Sequence, residues 1–407
     1  MNRDLRFESA IAFARDIIRI PSASGEEKEV AERVVEEVKR LKFDDVWIDE
    51  IGNVLARVKG TGDAPPIMLC SHLDVVDAGE PSQWECPPFS GEIAGGYLHG
   101  RGSVDCKGPL ALQTYAAAAL LDSRPAGDVY LACTVFEESG SWGMAHIMEQ
   151  KTVQPAAVIL GEATDGDICI GHRGRKEVKI IIHGKAAHAS APHRGSNPVN
   201  SLPSVLAALN SFADEIPSHS VLCPSTLVPT IIETWPRSPN MIPEQVRIVI
   251  DWRTLPYPQN PVDALRSFLK SRLDGRIVDS IDVQEQSEMQ TAYTGLNKTA
   301  SVSTSSFLLA ASHPVVEAAT GAVTTALGYK PATRPWIFGT DGGCSCGIHD
   351  IPTIGFAPGR EECAHTNLER LRLEGARTAY DAYPALMRAV QQSLASGIAF
   401  DSVAAAG

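Results

Sequence analysis

The sequence contains no long apolar run of the kind that crosses a membrane. Its best approach, Leu110–Leu121, is interrupted by Gln113 and Thr114, whereas a spanning helix needs about 20 apolar residues. The first 20 residues carry charges throughout, which does not fit the apolar core of a secretory signal. We therefore expect a cytoplasmic protein that has no membrane as a partner.

Positive charge is also in short supply. The 407 residues include 36 Lys and Arg against 49 Asp and Glu, which gives a net charge of −13. Nucleic-acid binders are usually basic, so we expect no nucleic-acid partner. The nine cysteines are odd in number and dispersed along the chain. This distribution is typical of reduced thiols rather than of a disulfide framework.

A nucleotide-binding glycine motif is likewise missing. The Gly-rich segment GRGSVDCKG, residues 100–108, does not have the spacing of a P-loop. No G-x-G-x-x-G stands between a predicted strand and a predicted helix. The sequence therefore disfavours a nucleotide-dependent α/β enzyme.

The chain does contain an alternation of short apolar strands with helices. The elements predicted in this way are strands at 67–71, 129–136 and 157–160 and helices at 109–122 and 143–150. Continuously apolar strands that alternate with helices are typical of a buried, mostly parallel sheet. Closer to the N-terminus, Ser24 and Glu27 have the spacing of a capping box before a further helix.

A different pattern interrupts this alternation. Between residues 177 and 286 the predicted elements follow the order β-α-β-β-α-β, which is typical of a ferredoxin-like unit. The first pattern then resumes, with a helix at 314–327, strands near 335–338 and 352–356 and a terminal helix over 369–393. We therefore predict an α/β domain with a mostly parallel sheet flanked by helices, residues 1–174 and 293–407. An inserted ferredoxin-like α+β domain, residues 175–292, interrupts it.

Acidic and imidazole side chains follow the predicted strands. These residues are His72, Asp74, Asp105, Glu137, Glu138 and Glu162. The carboxyl ends of parallel strands meet at one edge of a sheet, where so many acids repel one another unless a cation neutralises them. Mixed nitrogen and oxygen donors suit zinc, with cobalt or manganese as alternatives. Two ions that share Asp105 need a late histidine, and His349 and His365 both qualify.

Ordered motifs along essentially the whole chain resemble a known family. The motifs are SHLDVV, GRGSVDCKG, FEES, GEATD, HASAPHRGSNPV, DWR and a C-terminal His. On these motifs the sequence resembles the dizinc peptidase and deacylase family of acetylornithine deacetylase, succinyl-diaminopimelate desuccinylase, aminoacylase and carboxypeptidase G. The resemblance implies metal-dependent hydrolysis of the amide C–N bond of a small N-acyl amino acid, a related acylated amine or a dipeptide.

The resemblance also implies a ligand set for two divalent ions, with zinc expected first. His72 and Glu162 would bind one ion, Glu138 and His365 would bind the other, and Asp105 would bridge them. Whether one or two ions are bound at working concentration stays open.

Further roles follow from the same resemblance. Asp74 would accept a hydrogen bond from the far nitrogen of His72. Glu137 would be the general base that takes a proton from the water that the metals activate. His188, in the inserted domain, would reach across a homodimer interface to stabilise the oxyanion of the neighbouring site.

Four residues match positions that contact substrate in the family. Asn240 and Arg253 would touch the substrate, and Gly339 and Thr340 would line a carboxylate pocket. Arg253 has an alternative role, a salt bridge that closes a strand end. The segment FGTDGGCSCG lacks the arginine that is usual here in the family, so the preferred side chain of the substrate stays open.

Two alternative functions stay open as well. One is a less usual C–N hydrolysis on the same scaffold, such as deamination of an arylamine. The other is a relative without catalysis that serves as a binding or scaffold protein. The second alternative is disfavoured because neither Glu137 nor any predicted metal ligand is replaced.

Overall fold

The computed structural model describes residues 3–258, 260–278 and 280–396. The helices within them are α1 (Arg3–Ile18), α2 (Lys28–Arg40), α3 (Lys107–Ala119), α4 (Trp142–Gln150), α5 (Leu202–Glu215), α6 (Pro261–Arg272), α7 (Gly275–Val278), α8 (Pro314–Leu327), α9 (Gly342–Ser345) and α10 (Leu373–Ala395). The strands are β1 (Asp45–Ile48), β2 (Val54–Val58), β3 (Ile67–His72), β4 (Ile93–Ala94), β5 (Tyr97–His99), β6 (Val129–Thr134), β7 (Ala157–Leu160), β8 (Ile168–Cys169), β9 (Gly171–His172), β10 (Gly174–His183), β11 (Ala187–His188), β12 (Thr226–Trp235), β13 (Met241–Ile242), β14 (Gln245–Thr254), β15 (Ile281–Glu285), β16 (Ser287–Thr291), β17 (Asn297–Ser301), β18 (Phe307–Leu308), β19 (Thr333–Arg334), β20 (Thr353–Gly355) and β21 (Arg370–Arg372).

The chain divides into two compact units. The first comprises Met1–His172, Met289–Lys298 and Phe307–Gly407, and the second comprises Arg173–Glu288 and Thr299–Ser306. The predicted boundaries after residues 174 and 292 fall close to these limits. One segment differs: residues 299–306, which we expected in the first domain, pack with the second unit. The reason is that the backbones of Thr304 and Arg175 exchange two hydrogen bonds of 2.9 Å.

An eight-stranded sheet forms the centre of the first unit. Its strand order is β1-β2-β6-β3-β7-β20-β8-β19. Strands β6, β3, β7 and β20 run parallel to one another, and the antiparallel pairs lie to either side of them. Every residue of β3 and β7 is buried, as expected for continuously apolar strands of a parallel sheet. The predicted mostly parallel sheet is confirmed.

Helices cover this sheet, and the long helix α3 is almost entirely buried. All residues of α3 from Lys107 to Ala118 are buried. Gln113, which interrupts the apolar run, is satisfied inside the core, because it accepts a hydrogen bond from the Ser71 hydroxyl at 2.9 Å and donates one to the Ile159 carbonyl at 3.2 Å. In the part of the chain that the structure describes, no helix is long and apolar enough to cross a membrane.

The second unit is built on a four-stranded antiparallel sheet. The strand order is β12-β14-β10-β15. Apart from the two-residue strands β11 and β13 and the short helix α7, the order of elements along the chain is β10-α5-β12-β14-α6-β15. Alternate residues of β10 and β14 are buried, and they form a core with Leu209 of α5 and Leu265 of α6. This arrangement is the predicted ferredoxin-like pattern, and the predicted fold class is confirmed.

The predicted capping box before α2 is wrong. Glu27 is the N-terminal cap residue of α2, but no side chain caps the helix there. The Ser24 hydroxyl instead donates a hydrogen bond to the Asp74 carboxylate at 2.7 Å. A tertiary contact has therefore replaced the local one that the spacing predicted.

Two predictions in the C-terminal part also need correction. Residues 335–338 do not form a strand, since the pairing with β8 covers only Thr333 and Arg334. Trp336 is buried, and its indole N–H donates to the Ala163 carbonyl at 2.9 Å. The neighbouring strand is β19, two residues long. The terminal helix α10 begins at Leu373 rather than at residue 369, because residues 370–372 pair with β5 as β21.

Candidate metal centre

Three neighbouring strands bring polar residues to one edge of the large sheet. His72 is the last residue of β3, Glu138 follows β6 and Glu162 follows β7. Because these strands are adjacent and parallel, their carboxyl ends lie at the same edge. Asp105 does not follow one of these strands. It lies between β5 and α3, and β5 belongs to the small antiparallel sheet β21-β5-β4. The expectation that Asp105 also follows a parallel strand is wrong.

The predicted ligands form two groups that share one carboxylate. In the first donor group, His72 Nε2 lies 2.8 Å from Asp105 Oδ1 and 3.6 Å from Glu162 Oε1. In the second donor group, His365 Nε2 lies 3.2 Å from Asp105 Oδ2 and 3.1 Å from Glu138 Oε1. Within each group the potential ligand atoms all lie within 4.8 Å of one another.

The second donor group contains His365 and not the alternative, His349. Among the described residues, His349 belongs to neither group and its side chain is exposed. His365 lies just after the short 3-10 helix Glu361–Cys363 and is 52% exposed, whereas the side chains of the other four donors are at most 9% exposed. The second donor group is therefore the more open of the two.

Asp74 holds His72 through its backbone rather than through its carboxylate. The Nδ1–H of His72 donates to the Asp74 carbonyl at 2.8 Å, while the carboxylate Oδ1 is 3.6 Å away. This contact fixes the tautomer that turns the Nε2 lone pair toward Asp105. The Asp74 carboxylate accepts the backbone N–H groups of Glu137 at 3.1 Å and Glu138 at 3.2 Å. Asp74 thus connects the ends of β3 and β6.

Burial and the proximity of several carboxyl groups shift the pKa values of the residues in the site. Burial raises the pKa of the Glu162 carboxyl well above its usual range, with the charge of His72 opposing the rise. Burial raises the pKa of Glu137 in the same way, again against His72. Hydrogen bonds to the two carboxylates of the second donor group raise the pKa of His365 to about 10.

The donor set fits divalent metal ions. Its three carboxylates outnumber its two imidazoles, and among the described residues no Lys or Arg forms an ion pair with any of them. Buried carboxylates in such an arrangement are stabilised by a bound cation. Each group offers imidazole nitrogen and carboxylate oxygen from three residues, which leaves a coordination position open, as catalytic sites require.

Two buried residues beside the site were not singled out from the sequence. Cys106 has its Sγ within 4.8 Å of the first donor group, but it already accepts the His72 backbone N–H at 3.0 Å. Asp341 accepts a hydrogen bond from the Thr134 hydroxyl at 2.8 Å, and its other carboxylate oxygen has no hydrogen-bond partner. Asp341 could have been noticed in the sequence, because it is an acid within the segment FGTDGG, next to the predicted substrate residues Gly339 and Thr340.

His188 lies on β11, and Asn240 directly precedes the neighbouring strand β13 within the second unit. His188 on β11 pairs with Met241 on β13, and the backbone N–H of Ala189 donates to the Asn240 carbonyl at 2.9 Å. The exposed His188 ring accepts the Ser190 backbone N–H at Nδ1, at 3.1 Å. Its Nε2 therefore carries the proton in the neutral ring.

The remaining predicted substrate contacts are Arg253, Thr340 and Gly339, and they differ in their surroundings. Arg253 donates from Nε to Asp251 Oδ1 at 2.9 Å, which is the salt bridge considered as its alternative role. Thr340 is fully buried, and its backbone N–H donates to His172 Nε2 at 3.0 Å. Gly339, beside it, is partly exposed. The role of these residues in substrate binding stays a prediction.

Residues 68–389 match the sequence profile of peptidase family M20/M25/M40. The chain belongs to this family. The uncharacterized protein YgeY of Escherichia coli K12 is 30% identical over 367 residues, which cover 88% of each chain. A succinyl-diaminopimelate desuccinylase of Bradyrhizobium sp. is 30% identical over 286 residues, 65% of this chain and 72% of that one.

Solved structures of the family share this fold. Aminopeptidase PepT of Bacillus cereus superposes with a TM-score of 0.72 at 22% identity, and the match covers 94% of this chain and 98% of that one. The Bacillus subtilis YXEP protein, described as a dinuclear metal-binding peptidase, gives 0.68 at 17% identity over 94% and 98%. Family membership makes the chain a metal-dependent amidohydrolase, so the predicted family and enzyme class are confirmed.

Proposed function

We propose that the chain hydrolyses the amide C–N bond of a small N-acyl amino acid, a related acylated amine or a dipeptide at a centre of two divalent metal ions. The observation that carries this proposal is the pair of donor groups that share Asp105. The substrate class is supported by the relatives, since the desuccinylase and the aminopeptidase are both named for cleavage beside an amino acid.

Zinc is the ion that we propose first, with cobalt or manganese as substitutes. His72, Asp105 and Glu162 would hold one ion, and Asp105, Glu138 and His365 the other. Imidazole together with carboxylate is a common zinc donor set, whereas carboxylate-rich sites also accept manganese. Such ions supply Lewis acidity toward the substrate carbonyl and lower the pKa of water.

Glu137 is the proposed general base. It takes a proton from the attacking water and delivers it to the leaving amine nitrogen. Its raised pKa suits a group that must hold a proton between these two transfers. Asp74 positions it, because the Asp74 carboxylate binds the backbone N–H groups of the turn that carries Glu137.

We further propose a homodimer that forms through the second unit. Strand β12 pairs with β14 on one side only among the described residues, and its exposed apolar side chains include Ile231, Ile232 and Trp235. In the dimer, His188 of the partner subunit would donate from Nε2 to the oxyanion that forms during hydrolysis. Asn240, Arg253, Gly339 and Thr340 are kept as proposed substrate contacts of the same active site.

A cytoplasmic location is part of the proposal. All nine cysteines are free thiols. Cys344 and Cys346, the pair closest in sequence, are both buried within the first unit. Free thiols in this number suit a reducing compartment.

Metal analysis and a substrate panel test the proposal together. We expect about two zinc ions per chain and turnover of at least one N-acyl amino acid or dipeptide, and Asp105→Ala should lose both. A matched control is Asp45→Ala on edge strand β1, which removes an ion pair with Arg57 of β2 and should keep metal and turnover. Full activity after exhaustive chelation would contradict the proposal.

A further inference from the structure

A buried ion pair connects the segment before Asp105 with the segment after His365. Arg101 Nη1 donates to Glu369 Oε2 at 2.6 Å, and the two side chains are 4% and 0% exposed. The two residues lie 268 positions apart in the chain. One contact therefore fixes two distant loops relative to each other.

The second oxygen of Glu369 binds the loop that carries Asp105. Glu369 Oε1 accepts the backbone N–H groups of Val104 and Asp105, each at 3.0 Å. No helix or strand includes residues 100–106, so the backbone N–H groups there need partners outside a regular hydrogen-bond ladder. Glu369 supplies such contacts directly at the shared ligand.

Arg101 binds the loop that carries His365. Its Nη1 also donates to the carbonyl of Thr366 at 3.4 Å, and its Nη2 donates to the carbonyl of Asp77 at 3.2 Å. Its guanidinium lies over the Trp84 ring, 5.1 Å from the ring centre. The side chain of Arg101 is thus held from several directions.

We propose that Glu369 and Arg101 are a positioning pair that sets Asp105 relative to His365 and thereby sets the metal affinity of the second donor group. This inference rests on the proposed metal centre. A buried ion pair contributes little net stability compared with apolar residues of the same size, so its position between two ligand loops calls for another role. Residues that orient metal ligands have such a role.

A matched carboxylate exists elsewhere in the first unit. Glu37 on α2 is 4% exposed and accepts hydrogen bonds from Arg33, Arg40 and Tyr115. All of its partners lie on α2 and α3 rather than on a ligand loop. Glu37→Gln therefore has the same chemical change and similar burial as Glu369→Gln, without the connection to the site.

Cobalt(II) titration of the metal-free full chain separates the two roles. We expect Glu369→Gln to need roughly 10–100-fold more free cobalt than wild type to bind its second equivalent, with an altered visible absorption spectrum. Glu37→Gln should lose thermal stability but match wild type in cobalt affinity and spectrum. Equal affinity and an identical spectrum for Glu369→Gln and wild type would overturn the inference.

A second variant covers the case in which Glu369→Gln does not fold. Arg101→Met keeps an unbranched side chain at this buried position and leaves Glu369 free to bind the backbone N–H groups of Val104 and Asp105, but it removes the guanidinium and with it the link to Thr366. Weaker binding of the second cobalt supports the inference, and unchanged binding overturns it. A wild-type chain that binds fewer than two cobalt ions would count against the proposed metal centre itself, which keeps the two failures distinct.

Discussion

Glu137 and Glu138 follow one another in the turn after β6, yet their surroundings differ. Glu138 Oε1 lies 3.1 Å from His365 Nε2. Among the described residues, none forms a hydrogen bond or ion pair with the Glu137 carboxylate. An acid that lacks such a partner retains its capacity to accept a proton, whereas Glu138 has the position of a ligand.

The two neighbours should therefore fail in different ways when they are changed. Glu137→Gln should keep its metal and lose roughly 10²–10⁴-fold in kcat, because an amide cannot accept the proton. Glu138→Gln should bind metal more weakly. Metal content and kcat measured on both variants check this, and near wild-type turnover by Glu137→Gln would remove it from the role of base.

Glu27 predicts an unusual pH dependence of stability. Its side chain is fully buried, one oxygen has no hydrogen-bond partner, and burial together with the charge of Asp74 raises its pKa to about 7. The folded state thus binds this proton more tightly than the unfolded state. Stability should fall as the pH rises from the unfolded value of about 4.5 to about 7.

Glu27→Gln should remove this loss. The variant keeps an oxygen for the Phe136 backbone N–H and has no charge to bury. At pH 8 its free energy of unfolding should exceed that of wild type by up to about 3 kcal/mol. Near pH 5 this advantage should disappear. Urea unfolding of the metal-free variant and wild type at both pH values measures this difference in stability. Glu29→Gln, an exposed acid on the same helix, should follow wild type.

Residues next to strand ends could be predicted, and their distant supports could not. His72, Glu138 and Glu162 follow apolar strands, so the sequence indicates both the strand and the proposed ligand. Glu369 is 264 positions from Asp105, and no local pattern records that contact. The Asp74 carbonyl was missed for another reason, because a backbone group leaves no trace in residue type.

At the scale of elements, strand β12 tests the proposed dimer. Ile231 and Ile232 are each 49% exposed and Trp235 is 54% exposed, and an apolar strand edge of this kind invites pairing with another chain. Ile232→Lys should convert dimer to monomer with little change in the stability of the chain. Sedimentation analysis measures it.

The control for this variant lies on another edge strand. Ile48 on β1 is 41% exposed, and β1 is at the end of the eight-stranded sheet. Ile48→Lys should leave the assembly unchanged. A dimer that persists in Ile232→Lys would place the interface elsewhere.

Helices and strands with a regular hydrophobic pattern in the sequence were predicted well. Elements whose bounds depend on individual tertiary contacts were not. In β10 and β14, apolar and polar residues alternate along the sequence, and this pattern predicts a sheet with one buried face. The capping box failed because the Ser24 hydroxyl makes a tertiary hydrogen bond with Asp74. The strand expected at 335–338 is replaced by the short pairing of residues 333–334 with β8, after which Trp336 packs into the core. Local propensity yields to such contacts when they are buried.

At the scale of the whole molecule, the role of His188 can be tested by mixing inactive chains. His188→Ala should lose roughly 10²–10³-fold in turnover, because an oxyanion donor is missing. Combined with Glu137→Gln chains after subunit exchange, it should recover up to about a quarter of wild-type turnover, since half of the dimers then contain one intact site. If subunit exchange is confirmed and turnover does not recover, His188 acts within its own chain or has no role in catalysis.

The position of β20 has a consequence for synthesis of the chain on the ribosome. This strand lies between β7 and β8 in the sheet, but it is made only after the whole of the second unit. Translation at about 5–20 residues per second leaves the β7 edge unpaired for roughly 10–40 s. An open, fully apolar edge is a template for pairing with other nascent chains. We therefore expect the growing polypeptide to need shielding by chaperones until residue 355 has left the exit tunnel.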